Sequence, residues 1–148
     1  MEIEIRVLRR GDDRLLLGAA EGVFDNPVDP ALTREFLEDP RHHIAVAIEC
    51  GVVVGFASAV HYVHPDKPPE LWINEVGLAP THRGRGLGKL LLRALFDVGR
   101  THNCRAAWVL TDHGNRAAMA LYKSVGGLDG ADDDRPDEQI VAYHFTLD

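Results

Sequence analysis

Apolar and polar residues alternate at the start of the chain, where Ile3, Ile5 and Val7 stand between Glu4 and Arg6, the period-two pattern of a half-buried strand. Leu15-Leu16-Leu17 follow two candidate helix caps, Asp12 and Asp13, and predict a helix reaching about Val23. Phe24-Asp25-Asn26-Pro27 breaks it. Asp29-Pro30 then joins a capping carboxylate to the proline tolerated at a first helical position, predicting a short helix to about Leu37. Residues 44–48 and 52–60 are apolar runs separated by Glu49-Cys50-Gly51, which predicts a hairpin. Pro65, Pro68 and Pro69 predict a loop, and residues 71–78 a fourth strand.

The second half changes period. Leu87, Leu90, Leu91, Ala94, Leu95 and Val98 fall on one stripe at helical spacing, within a helix over residues 87–100. Residues 106–110 predict a fifth strand, residues 115–124 a helix stopped by Gly126-Gly127, and residues 140–147 a last strand. The order β-α-α-β-β-β-α-β-α-β, without internal repeats, predicts an α/β chain with a mixed sheet. Its 148 residues suffice for one domain, spanning 1–148, and are too few for two.

Between the fourth strand and the long helix lies Arg83-Gly84-Arg85-Gly86-Leu87-Gly88-Lys89. A strand, a glycine-rich turn and a helix start make a place for phosphate. The first amides of the helix lack internal partners, its dipole favours negative charge, and glycines let a ligand approach the backbone. Arg83 and Arg85 add cationic donors. Spacing limits the ligand. A nucleoside triphosphate loop needs glycine where Arg83 stands and a hydroxyl where Leu90 stands, and a dinucleotide loop needs glycine in place of Lys89.

Composition removes other classes. A net charge of -7 argues against nucleic-acid binding. The acid is concentrated between Asp129 and Glu138, where Asp132, Asp133, Asp134 and Asp137 also lie, opposed by Arg135 alone. Such a segment is either a solvated loop or a negative rim that draws in a cationic amine. No apolar run approaches the roughly 20 residues that span a membrane, and the first residues lack a signal-peptide pattern. Cys50 and Cys104, far apart and without metal-type spacing, fit a reduced, cytoplasmic compartment.

The Arg-x-x-Gly-x-Gly spacing of Arg83, Gly86 and Gly88, preceded by Val76-Gly77-Leu78-Ala79-Pro80, resembles the acetyl-CoA-binding motif of the GNAT superfamily of N-acetyltransferases. A second segment agrees. Asn115-Arg116-Ala117-Ala118-Met119-Ala120-Leu121-Tyr122-Lys123 resembles the family's Asn-x-x-Ala-x-x-Leu-Tyr followed by a basic residue. With the element order, the resemblance covers nearly the whole chain. It implies a central mixed, mostly antiparallel sheet of six to seven strands flanked by about four helices. It also implies acetyl-CoA as co-substrate, held by the amides of residues 83–89 and by the main chain of Val76, Gly77 and Leu78.

Transfer of an acetyl group from a thioester to an amine needs a neutral amine, yet an alkyl ammonium has a pKa of about 10.4, so a proton must leave. Glu75, a carboxylate inside the apolar run of residues 71–78, is costly there unless paired, solvated or useful. The resemblance makes it the base, acting directly or through water. Asp112 is a second candidate, or alternatively a helix cap. By the same resemblance Tyr122 is the acid that assists the leaving thiolate, and Asn115 contacts the pantetheine arm or simply caps its helix. Gly77 is expected to ease a bulge where the backbone meets the carbonyl oxygen. Tyr62 is a candidate for the substrate cleft.

The glycine loop, the fourth strand, Thr111-Asp112-His113-Gly114-Asn115 and Tyr143 to Asp148 are also similar, as a set, to gentamicin-type aminoglycoside 3-N-acetyltransferases, in which an aspartate usually replaces Glu75. A polyamine, a basic peptide, or acyl-CoA binding without turnover stay open, as does the oligomeric state, a homodimer included. The histidine pairs His42-His43 and His61/His64, and His102 with Cys104, lack the spacing of a metal site, so no metal is expected.

Overall fold

Six strands lie side by side in the order in which the chain makes them: β1 (Ile3–Val7), β2 (His42–Glu49), β3 (Val52–His64), β4 (Lys67–Leu78), β5 (Ala106–Asp112) and β6 (Ile140–Thr146). Among the described residues four α-helices accompany them: α1 (Asp13–Leu17), α2 (Pro30–Glu38), α3 (Leu87–Thr101) and α4 (Arg116–Ser124). This computed structural model describes residues 2–129 and 135–148. Neighbouring strands are antiparallel except β4 and β5, which are parallel. Parallel neighbours need a crossover, and α3 supplies it. The mixed, mostly antiparallel sheet with four helices agrees with the expected architecture at its six-strand limit.

Local chemistry explains most boundaries. The β2–β3 hairpin turns on Cys50 and Gly51, with φ of 52° and 78°, the left-handed pair that matches strand twist in a two-residue loop. Asp29 caps α2, its Oδ2 accepting from the Leu32 amide at 2.7 Å, with Pro30 at the first position.

Three expectations need correction. The helix predicted to Val23 stops at Leu17. Gly18 ends it, and the Ala20 amide donates to the Val53 carbonyl at 2.8 Å, drawing the chain onto β3. Asp12 holds its N-cap position as expected, with its carboxylate accepting from the Arg9 amide in place of a helix amide. Pro68 and Pro69 are not in a loop but begin β4. Pairing of β4 with β5 starts only at Glu70, so the missing N–H groups forfeit nothing on that side. On α3 the buried face is Leu87, Gly88, Leu91, Leu92, Leu95, Phe96 and Gly99, while Leu90 is 45% exposed.

That face covers the sheet. Leu91, Leu92 and Leu95 share one core with Val46, Leu71 and Ile73, all fully buried. Burying each leucine contributes about 1.5–3 kcal/mol. A methyl group on Gly99 would stand 3.1 Å from Leu147 and 3.3 Å from Leu71, so glycine lets the helix settle onto the strands. The crossover is thereby held rigid, and its N-terminus is presented beside the end of β4.

Candidate active site

β4 and β5 pair only from Glu70 opposite Ala106 to Ile73 opposite Val109. Beyond that row β4 continues to Leu78 alongside β3, and β5 continues to Asp112 alongside β6, so a cleft opens between them. Trp72 and Trp108 stack within the paired stretch, 4.9 Å apart and 9° from parallel. The separation coincides with a bulge. Ser58 faces Glu75 while Ala59 faces Ile73, leaving Asn74 as the extra residue. The bulge is therefore at Asn74 rather than Gly77. Gly77 answers another need, since a Cβ there would lie 2.5 Å from the Val23 carbonyl oxygen and 2.6 Å from the Phe56 ring.

The glycine loop follows the splayed end of β4 through the short turn at Pro80–His82. Gly84 and Gly86 hold φ of 74° and 77°, and no atom lies within 4 Å of where a side chain would project. Gly86 starts α3 without a side-chain hydrogen bond, so the first-turn amides have no side-chain cap. Leu87 is buried and offers a ligand only its main chain. Gly88 lets α3 meet α4, because a Cβ would come within 3.0 Å of Leu121. Arg83 is exposed, and the Arg85 guanidinium lies 3.7 Å from Glu49, whose other oxygen is 3.2 Å from His82 Nε2. Open glycines, uncapped amides and nearby cations suit a pyrophosphate.

Glu75 faces a cavity of about 300 Å³ between β4 and the α1–α2 segment. Its carboxyl is pushed above the usual range by burial first, then by the charge and hydrogen bonding of Asp25. Phe24, Phe36 and Phe56 provide aromatic wall, and Phe24 stacks on Phe56 at 4.3 Å. Asp25, Asp29 and Glu75 give the lining three carboxyl groups, and no lysine or arginine is among its described residues.

The other candidates are dispersed. Tyr122 is 5% exposed on α4, its ring 5.5 Å from that of Tyr143, and burial raises its hydroxyl pKa. Its neighbour Leu121 covers Gly88, so its helix abuts the glycine loop. Asn115 caps α4, with Oδ1 accepting from the Ala118 amide at 3.1 Å. Asp112 is therefore not the cap. It ends β5 opposite Ile140 and does not line the Glu75 cavity. Nor does Tyr62, whose hydroxyl donates to Glu70 at 2.5 Å where β4 and β5 are still paired.

Of the acidic segment, Asp132, Asp133 and Asp134 lie outside the described residues. At its ends, Asp137 meets Arg116 at 3.2 Å and Asp129 lies 3.8 Å from Lys123. The sequence reading missed Asp25, which stood out only as part of a helix-breaking turn and had no period or motif to mark it.

Residues 14–126 match the model of the Acetyltransferase (GNAT) family. Over 104 residues the chain is 38% identical to N-alpha-acetyltransferase RimI of Mycobacterium tuberculosis, covering 70% of this chain and 63% of that protein. Over 124 residues it is 28% identical to streptothricin acetyltransferase of Streptomyces lavendulae, covering 71% and 64%. The matched region thus spans less than two thirds of either relative. Arabidopsis thaliana NAA60 in complex with acetyl-CoA shares the fold, with a TM-score of 0.76 over 99% of both chains at 14% identity. Glycine loop, splayed strands and family match agree: the chain belongs to the GNAT family of acetyltransferases.

Proposed function

We propose that the chain is an acetyl-CoA-dependent N-acetyltransferase acting on a primary amine of a small, cationic substrate. The observation that carries this reading is Glu75, a carboxyl with raised pKa in an acidic, aromatic-walled cavity, on the strand that leads to an uncapped glycine loop. When bound, acetyl-CoA supplies an activated acetyl thioester.

The chain's residues divide the remaining work. The main chain of residues 84–89, with Arg83, Arg85 and Lys89, holds the pyrophosphate. Val76, Gly77 and Leu78 lie past the last row shared with β5, so their outward main-chain groups suit pairing with the pantetheine amides as an added strand would. The Asn115 side chain accepts from Ala118 through Oδ1, which leaves its NH2 to donate to the same arm. The carboxyl groups around Glu75 attract an ammonium, and the phenylalanines receive its apolar body. Glu75 takes a proton from the ammonium, and its raised pKa makes it a better base near neutrality than an ordinary carboxylate. Tyr122 stays protonated because burial raises its pKa, the state required of a proton donor to the departing sulfur.

The streptothricin acetyltransferase match supports a small cationic amine, and aminoglycosides and polyamines belong to that class. The RimI match favours a second reading, acetylation of a peptide N-terminal amine. Thiol release from acetyl-CoA, measured with aminoglycosides, polyamines and short peptides, separates them. Turnover confined to peptides overturns the small-substrate reading, and coenzyme binding without thiol release for any amine overturns the enzyme.

A further inference from the structure

Three imidazoles that the sequence scatters across the chain meet at the far end of α3 from the glycine loop. His43 comes from β2, His61 from β3, and His102 caps the C-terminus of α3. One ring nitrogen from each lies within 4.8 Å of those of the other two. His43 Nε2 and His61 Nδ1 are 2.7 Å apart, and the ring of His102 stacks on that of His61 at 4.4 Å. His43 and His61 are 8% and 9% exposed, and His102 is the least buried. The backbone fixes the arrangement, since the His61 amide donates to the Arg41 carbonyl at 3.0 Å just before β2.

We propose that His43, His61 and His102 form a binding site for one divalent transition-metal ion, with Zn²⁺ as the fitting occupant. Three imidazole nitrogens with no carboxylate in the set suit zinc-like ions and not Mg²⁺ or Ca²⁺, which take oxygen ligands. A metal needs neutral rings. Burial, then the neighbouring charges of His102, His61 and His42, hold His43 at about 4, opposed only by Asp39. Burial, His102 and Arg41 lower His61 in the same direction, again against Asp39. Both shifts run towards the neutral form that a metal binds.

Tetrahedral bonds of about 2.0–2.1 Å place ligand nitrogens roughly 3.3 Å apart, so the His43–His61 contact must open by about half an ångström while the wider pairs draw in. The His102 ring, stacked on His61, must also turn so that its nitrogen lone pair faces the other two. Three protein ligands leave a fourth position, on the open side where His102 meets solvent. The 15 residues of α3 span about 22 Å, which puts this site well away from the glycine loop. Bound metal would tie α3 to β2 and β3, so its effect falls on stability rather than on acetyl transfer.

The test uses the full chain without any histidine tag. Equilibrium dialysis against Zn²⁺, with Mg²⁺ and Ca²⁺ in parallel, should yield one Zn²⁺ per chain and none of the others. The thermal midpoint should rise with Zn²⁺ alone, since a ligand bound only by the folded state stabilises it by mass action. His102→Ala removes the most accessible ligand and should weaken Zn²⁺ by about a hundredfold, at or above the cost of losing an outer-shell partner. His144→Ala, on exposed β6 surface, should change nothing. Co²⁺ bound to the unaltered chain should show the visible absorption of a four-coordinate nitrogen site, a readout that stands even where a variant fails to fold. Sub-stoichiometric Zn²⁺, binding untouched by His102→Ala, or an octahedral aquo-like Co²⁺ spectrum each overturns the proposal.

Discussion

Asp25 and Glu75 line the same cavity, and after burial it is the charge and hydrogen bonding of Asp25 that raise the Glu75 pKa. One belongs to the turn after α1 and the other to β4, so the pair exists only in the folded chain. Two carboxyl groups in one cavity cannot both ionise cheaply.

Asp25→Asn removes a negative neighbour, so the Glu75 pKa falls towards 4.5 and the acidic limb of the rate profile moves to lower pH. A pH series of kcat/KM checks this. An unmoved limb would separate Asp25 from the base.

Glu75→Gln should lower turnover most at neutral pH and less under alkaline conditions, where more amine is already neutral. A uniform loss would assign Glu75 to substrate binding. The same variant should gain stability. A carboxyl whose pKa is raised on folding contributes stability fully below 4.5, and that contribution is lost as pH rises through the shifted value. The thermal midpoint of Glu75→Gln should therefore exceed that of the parent at pH 7.5, with the gap closing towards pH 4.

Gly86→Ala meets no neighbour but forces a side chain onto φ 77°, a strain of about 1–2 kcal/mol. Relieving it re-aims the amides at the head of α3, and KM for acetyl-CoA should rise about fivefold, the equivalent of roughly 1 kcal/mol. Gly11→Ala is the control, with φ 95° and open space but far from the loop in sequence and outside the cleft. Steady-state kinetics of both variants give the comparison, and equal KM values would show that the loop backbone does not hold the coenzyme.

Tyr122→Phe should keep acetyl-CoA binding and lose most turnover, because the ring still packs against Tyr143 and Phe145 while the proton is gone. Calorimetric titration and thiol release separate the two effects. Unchanged turnover would remove Tyr122 from the chemistry.

Element order and the glycine loop were legible because each rests on local rules: period, turn residues, caps and spacing. The α2 start at Asp29-Pro30 and the Cys50-Gly51 turn are such cases. Failures occur where distant segments decide. α1 ends early because Ala20 is claimed by Val53, and Pro68 and Pro69 join β4 because β5 has not yet begun to pair there. Leu90 fits the helical stripe, but the sheet lies slightly to one side of it. Asp25 and the histidine cluster were invisible for the same reason, since a tertiary meeting leaves no interval in the sequence to count.

At Gly77 a missing methyl group sets a distance elsewhere. The Val23 carbonyl and the Phe56 ring occupy the space a side chain would take, and Val23 precedes Asp25 by two residues. Any larger residue at 77 would act as a wedge, lifting that turn off β4 and carrying Asp25 away from Glu75. The acidity of the cavity is thus tuned by a position that carries no functional group at all.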